Sequence, residues 1–436
     1  MSFPFPLHRR CRIRRWRVWA LAFSLFAVAP AWSATASITF DDAVRLAAER
    51  APMLQARQSQ IAASQEEALR AAALPDPRLT LGVASLPVTG ADAFDASADF
   101  MTMKQIGVMQ DFPARVKRQA RQAVADRTIE QAQALSEAER LAVRQAVAQA
   151  WIALWAAQRE VAALQALREP TDVAVRAAKA RLAGGTGSAV DAMATQNAVL
   201  ELENRIDAAE ASLEAARAGL ARWLGETQAD LRIEGAPPDL MVLPISPTTM
   251  FASIDRQAPL LPWRSREAVA EAQVDAAIAE KRPDWSVGVT YGQRDRAPDG
   301  MPRSDMLMVE FAIDLPLFTR NRQDRGVAAR RAELDAVAAE REDARRAQAE
   351  RVRMTLAEWD GLKRQVVRKE TESLPLARDR AKTALAAYAA GGDLQPWLEA
   401  RRDEIELHVM HARHLGDLGR AWAALAYLLP EEEPSP

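Results

Sequence analysis

Three of the four histidines in this 436-residue chain fall within seven residues: His408, His411 and His414, with Met410 beside them. A spacing of three sets neighbours on adjacent parts of one helix surface, and neutral imidazole suits copper, zinc or nickel. Such a group would make weak, transient contacts with a passing cation rather than hold one permanently. Leu407, Leu415 and Leu418 interleave with the histidines, so polar packing between helices is the competing account. Met101, Met103 and Met109 are soft donors too, although methionine on a lipid-facing or core strand is ordinary packing. Nothing else approaches catalytic chemistry. No Ser, His and Asp arrangement, no phosphate loop and no recognisable pair of carboxylates is present, so no enzyme and no cofactor is expected. A single cysteine excludes a disulfide scaffold and any cysteine metal cluster. A formal charge of −2 gives no reason to expect nucleic acid.

The elements that carry these residues are written twice. Ala51-Pro52 recurs as Ala258-Pro259, Pro75-Asp76 as Pro283-Asp284, Asp111-Phe112-Pro113 as Asp314-Leu315-Pro316, and Gly184-Gly185 as Gly391-Gly392. The separations all lie between 203 and 208 residues. The chain therefore divides into a first unit (37–229), a Pro-rich linker (230–250, with Pro237, Pro238, Pro244 and Pro247), a second unit (251–430) and a disordered tail (431–436). Each unit reads as helix, two strands, very long helix, tight glycine turn and long helix.

Thr39-Phe40-Asp41-Asp42 resembles a capping box with Asp in place of Glu. The helix it opens runs to about Ala73, interrupted near Pro52, and Pro75 prevents its continuation. From Pro113 to Ala183 the sequence is rich in Ala, Gln, Arg and Glu, all compatible with helix, and seventy residues of helix would measure about 105 Å. That is too long for a globular helix. The return helix explains it: Val199, Leu202, Ile206, Ala209, Leu213, Ala216, Leu220 and Trp223 alternate spacings of three and four, the period of a left-handed coiled coil. Val143, Val147, Ala150, Leu154, Ala157, Val161 and Leu164 do the same on the preceding helix. Trp151 and Trp155 add a second apolar line there, so that helix needs neighbours on two sides.

Four short segments alternate with period two, at about 78–87, 100–111, 284–293 and 305–314. Leu79, Leu81 and Val83 alternate with Thr80, Gly82 and Ala84. Trp285, Val287, Val289 and Tyr291 alternate with Ser286, Gly288, Thr290 and Gly292. Leu307, Val309, Phe311 and Ile313 alternate with Met306, Met308, Glu310 and Ala312. The phase of 100–111 is not readable. One face is apolar and the other small or polar, over roughly the ten residues of a transmembrane β-strand. Four strands cannot close a barrel, for which about eight is the practical minimum. Open edges are not tolerated in lipid, so the barrel reading requires an oligomer. Two hairpins on a soluble core are the bland alternative.

The leader changes the charge. Residues 9–17 are basic, an apolar run follows from Val18 to Trp32, and small residues close it. The run is shorter than the roughly 20 residues of a membrane-spanning helix, so residues 1–36 read as a secretory signal peptide cleaved after Ser33 or Ala36. Its loss removes six arginines, no acids and Cys11, and takes the formal charge from −2 to −8. A thiol-free chain suits an oxidising compartment.

With these features the chain resembles the TolC-type outer-membrane efflux proteins. The resemblance is carried by Ile38-Thr-Phe-Asp-Asp-Ala-Val-Arg-Leu-Ala47, Leu74-Pro-Asp-Pro77, Asp111-Phe-Pro113 and the glycine turns followed by Ser188, Asp191 and Gln196. Residues 99–104 with Gly107–Pro113 resemble the branch serving heavy-metal efflux pumps. The resemblance implies a mainly α fold with a small β part, and a homotrimer whose twelve-stranded barrel in outer-membrane lipid continues as a helical tunnel into the periplasm. It implies a passive duct joined by a periplasmic adaptor (membrane fusion protein) to a proton-driven inner-membrane pump of the RND type. The turns Gly184, Gly185, Gly187, Ser188 and Gly391, Gly392 would then be the periplasmic tips, forming the gate and the adaptor dock. Asp191 and Asp393 would form an acidic ring that favours cations, although Asp191 reads equally as a solvated helix-start residue. Many relatives carry a lipidated N-terminal cysteine, which this mature chain lacks. A periplasmic coiled-coil adaptor, or the same channel serving organic compounds or secreted proteins, are the alternatives.

Overall fold

The computed structural model describes residues 37–225, 231–297 and 299–430; the expected signal peptide and C-terminal tail lie outside the described residues. The first unit runs β1 (Ser37–Ile38), α1 (Phe40–Arg50), α2 (Pro52–Ala71), β2 (Arg78–Ala84), β3 (Met103–Phe112), α3 (Arg115–Gln165), α4 (Arg168–Ala183) and α5 (Ala189–Leu224). After β4 (Arg232–Ile233) come α6 (Pro247–Ala252), α7 (Leu261–Ala279), β5 (Asp284–Gln293), β6 (Met306–Asp314), α8 (Gln323–Arg368), α9 (Leu374–Ala389) and α10 (Gln395–Ala426). The molecule is mostly helical with a small sheet. Among the described residues no helix is long and apolar enough to cross a membrane.

Local chemistry sets the breaks. Thr39 caps α1 by accepting from the Asp42 amide. Ala51, held extended before Pro52, separates α1 from α2, where Pro52 opens the new helix. The helix expected to run unbroken from 113 to 183 divides at Ala166 and Leu167. Pro170 explains it, since it has no amide to give the Ala166 carbonyl. In the second half Pro375 stands just inside α9, directly after a π-helical turn over Lys369–Ser373. Even so, α3 keeps 51 residues, about 77 Å of unbroken helix.

That helix is the hub. Its first seam, with Val161 and Leu164, meets Leu202, Ile206 and Ala209 of α5, and Ile405 and Val409 of α10 join the same cluster. Its second line buries Trp151 completely; the indole stands edge-on to Phe40 at 5.5 Å and donates to the Ile38 carbonyl at 3.3 Å. Helices α2, α5, α7 and α10 all pack on α3, giving it the neighbours on two sides that its sequence demands. The Pro-rich stretch between the halves is fastened rather than loose. Trp359 donates to Leu240, Lys363 to Met241 and Trp422 to Val242, all to carbonyl oxygens at 2.8–2.9 Å. At its start β4 pairs in parallel with β1.

The remaining strands form one antiparallel sheet in the order β2-β3-β5-β6. Strand β2 stops at Ala84, short of 87, because Ser85 takes a positive φ of 56° and Pro87 follows. The register sets Leu79 beside Val108, Val108 beside Val289, and Val289 beside Val309. The two strand pairs of the two halves thus lie side by side, with β2 and β6 as edges.

Close approach of α3 and α10 depends on one glycine. A Cβ at Gly419 would overlap the Cγ2 of Ile152. Gly419→Ala should therefore lower stability by about 1–3 kcal/mol, and Ile152→Ala in the same chain should recover part of that loss. Denaturation midpoints of the purified variants check this; an unshifted Gly419→Ala midpoint would contradict it.

Candidate functional site

The sheet presents two chemically different faces. On one, Leu79, Leu81, Val83, Ile106, Val108, Trp285, Val289, Tyr291, Leu307, Val309, Phe311 and Ile313 are each 40–73 % exposed. Val287 and Phe112 fill the same face, which Gln110 interrupts near one end and Lys104 and Gln293 bound at the other. Phe112, Trp285 and Phe311 stack across three strands there, with ring centroids 4.2 and 5.6 Å apart. Along β5 the band from Trp285 to Tyr291 spans about 20 Å, and exposed Leu315, Leu317 and Phe318 extend it. The register also settles the phase of β3, with Ile106 and Val108 in the band and Met103, Gln105, Gly107, Met109 and Asp111 opposite. Met103 and Met109 therefore lie on the Gly, Ser and Thr face, not with the apolar side chains of the band. Gly107 is required there, since a Cβ would come within 2.5 Å of the Thr290 hydroxyl and 2.7 Å of the Thr80 hydroxyl.

At the strand ends the connectors are laced together. Arg303 donates to the Asp99 carbonyl at 2.8 Å and to those of Ser97 and Ala98 at 3.3 and 3.4 Å, and Arg294 reaches Phe100. Asp95 turns its loop by accepting from the Ser97 and Ala98 amides.

The helical hairpins end in the two glycine turns. Gly185 takes φ +71° and Gly391 φ +110°, so the left-handed residue is the second glycine of one pair and the first of the other. Gly187 packs where a Cβ would sit 2.8 Å from that of Arg181. Ser188 caps α5 by accepting from the Asp191 amide at 3.0 Å, which fixes Asp191 in the first turn of that helix. Gly392 and Asp393 lie exposed between α9 and α10.

One residue missed in the sequence joins these tips. Arg181 donates to the Tyr388 and Gly392 carbonyls at 2.7 and 2.9 Å and to Thr186 at 3.3 Å, and lies 4.4 Å over the Tyr388 ring. Tyr388 and Trp397 are fully buried beneath, among Ala174, Ala178 and Leu394. Arg181 and Tyr388 stand 207 residues apart, the separation of the repeat itself, so the pairing was accessible from sequence once the two halves were aligned.

The histidines do not converge. His414 Nδ1 meets Lys369 Nζ at 3.0 Å, His411 Nε2 lies 3.4 Å from Glu370, and Met410 is exposed while His411 is buried. Among the described residues no three His, Cys, Asp or Glu side chains form a set that could hold a metal ion. The expected ligand group of His408, His411, His414 and Met410 is thus not assembled, because His411 and His414 turn to Glu370 and Lys369 of the π-turn while Met410 faces out. Burial, with Arg378, His411 and Arg401 nearby, pushes His408 down to about 4. Burial, with Arg159, Lys369 and His414, pushes His411 down to about 4. One and two turns away, Arg401 and Glu404 form a buried ion pair at 2.6 Å.

The family model described as outer membrane efflux protein matches residues 43–226 and 255–429. A search of curated proteins by sequence returned no match. Among solved structures, the fold is similar to the outer membrane protein VceC of Vibrio cholerae, at 17% identity over 89% of this chain and 96% of that one, with a TM-score of 0.68. The Campylobacter jejuni CmeC outer membrane channel aligns at 14% identity over 90% and 87%, with a TM-score of 0.71. CusC, which forms a transmembrane channel, aligns at 12% identity over 90% of this chain and 92% of that one, with a TM-score of 0.70.

Acid should loosen the helical body around the buried imidazoles. Below pH 6.5 the unfolded chain takes up protons at His408 and His411 that the folded chain accepts only near pH 4. The stability these groups hold is complete above pH 6.5 and is lost as the pH falls through that window. The loss should be on the order of 2 kcal/mol per group at its lower end. Denaturation midpoints between pH 7 and pH 4 should fall less steeply for His408→Phe with His411→Leu; an unchanged slope would contradict the assignment.

Proposed function

The chain belongs to the outer membrane efflux protein family, and from that premise we propose that it is the passive exit duct of a tripartite efflux system. The observation that carries the reading is the broad apolar face of a sheet whose two edge strands, β2 and β6, have no further strand partner among the described residues. In water that face would expose a dozen large apolar side chains, each giving up about 1.5–3 kcal/mol of burial. Lipid covers the face, and copies of the chain cover the edges. Three protomers pool their strands into a twelve-stranded barrel in the outer membrane, and the paired long helices continue as a tunnel into the periplasm. A periplasmic coiled-coil adaptor would have no use for such a band.

The tips lie at the far end of the helical hairpins, where they form the gate and meet the periplasmic adaptor that docks an inner-membrane RND pump. Gly184, Gly185, Gly187, Ser188, Gly391 and Gly392 shape that end, and Asp191 and Asp393, repeated by the three-fold axis, give it an acidic ring. Heavy-metal cations are the cargo we favour. The support is the likeness of residues 99–104 and 107–113 to the metal-efflux branch, together with an acidic aperture that favours cations.

Fractionation and conductance test this reading. The mature chain should be recovered as an outer-membrane trimer that forms cation-preferring pores in planar bilayers. Arg181→Ala removes charge-assisted bonds worth about 1.5–3 kcal/mol each between the tips, so its pores should conduct several-fold more than the wild type. Recovery as a soluble periplasmic monomer would refute the duct, and an unchanged Arg181→Ala conductance would refute the gate.

A further inference from the structure

The face of the sheet opposite the apolar band carries no Leu, Ile, Val, Phe, Trp or Tyr. Its bulky apolar side chains are all methionines: Met103 and Met109 on β3, Met306 and Met308 on β6. The band contains no methionine at all. Leucine would fill space on the inner face as well as methionine does, so hydrophobicity does not account for this sorting. What methionine adds is a polarizable sulfur lone pair.

The register sets three of these methionines around Gly292 and Thr290 of β5. Gly292 of β5 pairs with Met306 of β6, and Met103 reaches over the same glycine, its Sδ lying 3.1 Å from where a Cβ would stand. The missing side chain at Gly292 is what lets Met103 lean toward β6. Met308 follows Met306 on the same face, about 7 Å further along the strand. Met306 and Met308 are each 45 % exposed, so the group opens to the space the sheet faces. Thr290, beside Met308, and Gln105, beside Gly292, are neutral. Met109 stands apart: Arg78 lies 3.9 Å from its sulfur and also holds Asp111, which puts a fixed positive charge there.

We propose that Met103, Met306 and Met308 form a thioether site on the inner wall of the barrel that takes soft monovalent cations, Cu(I) or Ag(I), in transit. Thioethers select such ions, whereas harder divalent cations prefer imidazole, carboxylate or water. Three neutral donors, with the Glu310 carboxylate two residues beyond Met308 on the same face, bind weakly and exchange quickly, as a duct requires. The proposal rests on the channel reading, because only a closed barrel turns this face toward the lumen, where the three-fold axis repeats the site.

The test uses the full mature chain purified as a trimer in detergent, with silver nitrate in chloride-free buffer as the probe. Peroxide converts exposed methionine to its sulfoxide, and mass spectrometry of peptides gives the rate at each position. Silver should slow oxidation of Met103, Met306 and Met308 several-fold and leave Met193 and Met354, exposed on α5 and α8, unchanged; zinc should protect none of them. Met103→Leu with Met306→Leu and Met308→Leu keeps volume and apolarity, so the trimer should persist while calorimetric silver binding is lost. An intact wild-type trimer without selective protection overturns the site alone, as does a triple variant that binds silver unchanged. A chain that sizes as a monomer overturns the channel and the site together.

Discussion

The sheet is the constraint on which the molecule depends. A four-stranded antiparallel sheet with one largely apolar face and two bare edges is not a stable object in water. Its apolar face needs an apolar solvent and its edge amides and carbonyls need other strands, and lipid supplies only the first. The proposed barrel meets both, with lipid on the face and strands of other copies on the edges. In that proposal the glycines and small residues of the opposite face follow from curvature, since a barrel wall narrows inward. Gly107 lets Thr80 and Thr290 approach from either side, and Gly292 makes room for Met103.

The helical part answers a different demand, that of length without bulk. Helix α3 cannot be buried in a globule at about 77 Å, so it is stabilised sideways, by a seam to α5 on one side and by Trp151 against Phe40 on another. Its neighbours are separated from it by little more than backbone where Gly419 faces Ile152. At the far end the Arg181 guanidinium ties both turns above the buried Tyr388 and Trp397.

Much of this was legible in the amino-acid order. The period of 3.5 on α3 and α5, the period of two on β2, β5 and β6, the cap at Thr39 and the break at Pro52 are local signals read from local residues. What escaped depended on pairing between distant segments. The phase of β3 is ambiguous alone and becomes fixed only when Val108 sits between Leu79 and Val289. Pro170 was overlooked inside a run of strong helix formers, although its missing amide is a local signal and divides α3 from α4. The histidines illustrate the opposite error, for their spacing was real but its meaning lay in the side chains opposite. Lys369, Arg159 and Arg378 come from two other helices and the π-turn, and no reading of 408–414 alone reveals them. Arg181 needed only the alignment of one half upon the other.

The central claim is that β2 of one protomer pairs with β6 of the next. Single cysteines in place of Leu79, Leu81 or Val83 on β2, combined with cysteines in place of Leu307, Val309 or Phe311 on β6, test it directly in a chain whose own Cys11 is replaced by Ser. Oxidation of intact cells should convert at least one such double variant into a covalent trimer on denaturing gels, with each single variant remaining monomeric. If every combination stayed monomeric while the protein was abundant in the outer membrane, the edges would not be meeting and the shared barrel would be wrong.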